Sequence, residues 1–124
     1  GHGPKVGVEE IKNLAKSLRD WVIGEFELKR ENGDTIKRVF LKNGIRERYT
    51  NGKKELLPIS LRAGKSQNRW SIVNGEIHIE LNESSILVKS INKDKSITYI
   101  ADLDKDGKRE DRPKEHQPTY QKTK

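Results

Sequence analysis

The chain of 124 residues has no cysteine and no methionine, and it has few aromatic side chains: two Trp, three Tyr and two Phe. Without thiols there can be no disulfide, thiolate metal site or cysteine nucleophile. No apolar run approaches the ~18–20 residues that a membrane-spanning helix needs. Of the three histidines, two lie near the ends, which leaves little material for metal or general-base chemistry. Hydrophobic residues make up only 31%, whereas charged residues reach 36% against roughly 25% in ordinary globular proteins. This length and composition imply one domain with a small core, and they point away from an enzyme.

Both ends differ from the middle. Residue 1 is not methionine, so Gly1-His2-Gly3 reads as an expression scar, and residues 1–5 as a disordered N-terminus. Residues 113–124 carry two prolines, one Tyr and no aliphatic residue, a composition that predicts a disordered tail. The foldable domain is expected over residues 6–112.

Val8, Ile11, Leu14, Ala15, Leu18 and Val22 recur with the spacing of one helical face, which predicts an amphipathic helix over about residues 8–20. From Val22 the period becomes two. Four Asn-Gly pairs follow, at 32–33, 43–44, 51–52 and 74–75, each between strand-like segments. Asn-Gly favours the positive φ angles of a tight hairpin turn. Further strands are expected at about 54–61, 85–91 and 96–103. The pattern predicts a mainly β fold: an up-and-down antiparallel meander of about eight strands. Closing it into a barrel would remove its open edges, whereas a curved, partly open sheet is the competing geometry.

Several stretches resemble the small bacterial lipocalin-like, or calycin-type, domains. Ser17-Leu18-Arg19-Asp20 leads into Trp21-Val22-Ile23-Gly24-Glu25-Phe26, like a helical turn before a first strand. Phe40 to Gly44, Tyr49 to Lys53 and Trp70 to Ile77 repeat a strand, Asn-Gly, strand rhythm. Phe26 stands where that family has Trp, and either Arg109 or Arg112 could serve as its barrel-closing Arg. The resemblance implies a closed meander with an apolar interior site. The leading expectation is a monomeric binding or structural module in a bacterial secreted or cell-envelope setting. It names no ligand.

Three candidate sites follow. Phe26, Val39, Tyr49, Trp70, Ile72, Ile79 and Tyr99 are expected to face inward, where they either line a site for a small apolar ligand or simply fill the core. The second candidate is electrostatic. Residues 29–70 hold twelve Lys and Arg against four acids, while residues 71–111 hold six against nine. Arg38, Lys42, Arg46 and Arg48 would lie on adjacent strands and repel unless an anion, such as nucleic acid or an acidic polymer, compensates. A solvated basic surface, with function in contact to a protein partner, is the plainer alternative. The third is Asp102, Asp104, Asp106 and Glu110, which match the opening of a calcium loop but lack its final Glu, since Pro113 stands there. An Asp-Gly hairpin turn explains the same residues.

Overall fold

A computed structural model describes residues 16–56, 68–82 and 84–124. A helix, α1, occupies residues 16–22 of this part and is followed by ten strands. They are β1 (Gly24–Lys29), β2 (Thr35–Phe40), β3 (Arg46–Thr50), β4 (Lys53–Glu55), β5 (Arg69–Val73), β6 (Glu76–Asn82), β7 (Ser85–Ile91), β8 (Ile97–Asp104), β9 (Arg109–Asp111) and β10 (Thr119–Lys122). Every pairing is antiparallel, in the order β4-β3-β2-β1-β10-β8-β7-β6-β5, with β9 beside β8. The expected start of the helix, residues 1–5 and most of the strand expected at 54–61 lie outside the described residues. Among the described residues no helix is long and apolar enough to cross a membrane.

All four Asn-Gly pairs sit in turns between consecutive strands. At Asn51-Gly52 and Asn74-Gly75 both residues have positive φ (51° and 81°, 51° and 77°), so these are two-residue hairpins whose twist matches the strands. At 30–34 and 41–45 the loop is longer, and the Asn side chain instead accepts the amide two residues on (2.9 and 3.0 Å).

The sheet is strongly curved but not closed into a barrel, contrary to the favoured expectation. The free edge of β3 is divided between two neighbours. From Arg48 to Thr50 it pairs with β4, so only its beginning reaches β5. That contact is one bridge, Ile45 to Arg69, flanked by Arg46 N–H to Asn68 O (2.7 Å) and Trp70 N–H to Gly44 O (2.9 Å).

The stretch 113–124 is no disordered tail. It forms a 3-10 turn at Lys114–His116 and then β10, inserted between β1 and β8. Tyr120 is buried in the core. Backbone pairing on both edges plus one buried ring orders a segment whose average composition looks unfoldable. Gly24, at φ +141°, permits the close approach of this strand, since a Cβ there would stand 2.1 Å from Lys124 O.

The core lies on the concave side, where an edge-to-face aromatic series runs Trp21, Phe26, Phe40, Trp70 with centroids 5.7, 5.6 and 5.4 Å apart. Each such contact contributes about 0.5–1.5 kcal/mol beyond area burial. Helix α1 covers this end: Val22 is fully buried, Arg19 lies 4.9 Å from the Trp70 ring centroid and donates to Lys42 O (2.8 Å).

Candidate anion site on the concave face

Strand β2 alternates Ile36, Arg38 and Phe40 inward with Thr35, Lys37 and Val39 outward. Strand β3 follows in register, Arg46 opposite Phe40 and Arg48 opposite Arg38. Three of the four cations expected to form an anion site therefore converge, but on the concave side of the sheet. Lys42 does not join them: it sits exposed in the β2–β3 turn, because β2 ends at Phe40.

Burial in this cluster is unusual for charged groups. Arg46 is 2% exposed and Arg38 8%. Arg46 donates from Nη2 to Asn68 Oδ1 (2.7 Å), while its buried Nε has no partner among the described residues. Arg38 donates to Lys37 O (3.2 Å). Arg48 pairs with Glu55 (3.3 Å), whose carboxylate also accepts the Thr50 hydroxyl.

The fourth member, Lys89, is not signalled by any pattern in the chain. It is 2% exposed on β7, opposite Ile77 and Tyr99. Its Nζ lies 4.4 Å from the Tyr120 ring centroid, and Arg38 Cζ lies 5.5 Å from the same ring. Among the described residues it forms no hydrogen bond or ion pair. Burial first, then the charges of Arg46, Arg38 and Arg48, push its amine well below the ordinary lysine range. Burial first, then the charges of Arg38 and Arg48, lower Arg46 to about 9, which leaves it charged at neutral pH.

The expected interior residues divide. Phe26, Trp70 and Ile79 are buried in the core, and Ile72 packs against it half-buried. Tyr99 is half-buried opposite Lys89, with its hydroxyl on Asp102 and Arg112 Cζ 4.0 Å from its ring centroid. Val39 and Tyr49 are corrections: both belong to the convex face. Tyr49 donates to Glu47 (3.1 Å) and lies beneath Lys37, 5.1 Å from its ring centroid. A strand's parity is all or none, so placing Arg38 inside puts Val39 outside.

Three convex cations, by contrast, have carboxylate partners. Lys37 meets Glu25 (3.1 Å), Lys54 meets Glu47 (2.8 Å), and Arg109 grips both oxygens of Glu76 (3.0 and 3.1 Å). His78 lies on this face too, 3.9 Å from Glu76.

The calcium-loop reading gives way to a hairpin. Asp104 Oδ1 accepts the amides of Asp106 and Lys108, both at 2.9 Å, and so closes its own turn between β8 and β9. Asp102 is engaged by Tyr99 and Arg112, and Glu110 is exposed on β9. Among the described residues no three His, Cys, Asp or Glu side chains are grouped to hold a metal ion.

Beside the cluster, at the β3–β4 rim, a groove of about 560 Å³ is lined by Arg48, Thr50, Lys53, Lys54, Glu55 and the exposed Leu56. That volume lies in the range of small-molecule sites, roughly 300–1,000 Å³. Compared with known proteins, the chain matches no protein-family model, no curated protein and no solved structure.

Proposed function

We propose that this protein is a non-enzymatic, lipocalin-like binding module that takes a small ligand from the β3–β4 rim onto its concave face. The observation that carries this reading is the contrast between the two faces. The convex cations Lys37, Lys54 and Arg109 are neutralised by neighbouring carboxylates, whereas Arg38, Arg46 and Lys89 are buried with no carboxylate hydrogen-bonded to them among the described residues. Buried unpaired charge destabilises a fold, so its retention marks a site. The aromatic series fills the α1 end, which supports the rim as the point of entry. Glu55 is held by Arg48 and Thr50, so it is engaged rather than free for proton transfer.

The rival reading is a basic surface that grips a polyanion. It requires free convex cations, and the ion pairs of Lys37, Lys54 and Arg109 take three of them. Titration with the neutral dye Nile red and with a single-stranded oligonucleotide, each at low and high salt, separates the two. Interior binding is expected to give dye uptake that changes little with salt and weakens in Leu56→Ala. Oligonucleotide binding that falls steeply with salt and is lost in Lys37→Ala/Lys54→Ala would overturn it.

A further inference from the structure

We infer that Arg38, Arg46, Arg48 and Lys89, gathered around Tyr120, form an oxyanion site, and that the ligand enters with a phosphate or carboxylate group leading. This rests on the binding reading above and names the chemistry that the concave face recognises.

Three observations support it independently of one another. Arg46 Nε is a buried donor with nothing to donate to among the described residues, and a guanidinium presents its donors in a planar fork suited to two oxygens of one anion. Lys89 Nζ rests against a ring face, which stabilises a cation but accepts no conventional hydrogen bond, so its donors remain for an anion. Arg38 and Arg48 face each other directly across β2–β3, a like-charge pair in which only Arg48 has a carboxylate partner, Glu55, so Arg38 is left for an anion to relieve.

The site is also selective for small anions. With Arg38, Arg46 and Lys89 all nearly covered, an extended polymer backbone cannot lie along them, whereas a single terminal oxyanion can reach them from the rim. Charge-assisted bonds to an anion in such a desolvated place are about twice as strong as neutral ones.

Thermal unfolding of the wild-type protein with inorganic phosphate or succinate, at constant ionic strength set with sodium chloride, provides the test. A saturable rise of several degrees in Tm is expected with at least one of the two, and which one acts distinguishes a phosphate-bearing from a carboxylate-bearing ligand. Arg46→Gln is expected to weaken the response roughly tenfold or more. Lys89→Met should lose it too, yet melt higher than wild type without ligand, because the unpaired buried amine is gone. A Lys89→Met protein that melts lower and still responds would make the lysine structural and overturn the site. So would a wild-type response to all salts alike, without saturation. If either variant fails to fold, amide chemical shifts of wild type on adding phosphate decide: changes centred on Arg46, Lys89 and Tyr120 support the site, and changes confined to convex residues overturn it. Absence of any oxyanion response in protein that still takes up Nile red defeats this inference alone, whereas loss of both defeats the binding reading as well.

Discussion

Lys89 shows how little a residue's type says about its place. It follows Ile86-Leu87-Val88, a run in which either parity offers apolar side chains, so inspection puts the lysine on the solvent side. The β7–β8 register, with its irregularity between Val88 and Lys89, turns it inward. Arg38 misleads in the same way, since its neighbours on both parities are partly apolar. Phe26 and Trp70 were legible because bulky aromatics in a chain this poor in apolar residues have few other places to go. Burial of Lys89 has a pH signature. With the folded-state pKa below the ordinary ~10.4, the unfolded chain holds a proton that the folded one releases earlier. Stability therefore rises with pH through the window between the lowered value and the ordinary one, by up to about 1.4 kcal/mol per pH unit, and its contribution is lost as pH falls through the folded value. Denaturant midpoints followed from neutral pH to about pH 10 are expected to climb in wild type. In Lys89→Met that climb should flatten.

At the scale of elements, hairpins were the readable part. Each Asn-Gly pair is a local rule, satisfied by backbone geometry at one place in the chain. The turn at 92–96 obeys the same geometry without the signal. Asn92 N–H bonds Ser96 O and Lys95 N–H bonds Asn92 O, matching the pattern at 41–45, but the left-handed position is held by Lys95 at φ 69° where the other turn has Gly44. A side chain in that conformation costs about 1–2 kcal/mol, partly offset by glycine's greater entropy loss on folding. Lys95→Gly is thus expected to stabilise the protein by about 0.5–1 kcal/mol, read as a rise in Tm or denaturant midpoint. Wrong predictions at this scale came from non-local pairing. No local pattern announces that Thr119–Lys122 will find β1 and β8, because what orders it is the two edges waiting for it.

Across the whole molecule, that placement divides the sheet into two local meanders, β1 to β4 and β5 to β9, joined centrally by β10. Removing residues 119–124 is expected to expose the facing edges of β1 and β8 and to abolish a single cooperative unfolding transition. Coincident transitions by tryptophan fluorescence and circular dichroism in the truncated chain would disprove this. There is a consequence for synthesis. Translation delivers β10 after β1 to β9, so a nascent chain carries two half-sheets with unpaired inner edges, joined only by the short β3–β5 contact. Such edges are templates for pairing with other chains, and the interval before β10 docks is when this protein is most exposed to self-association.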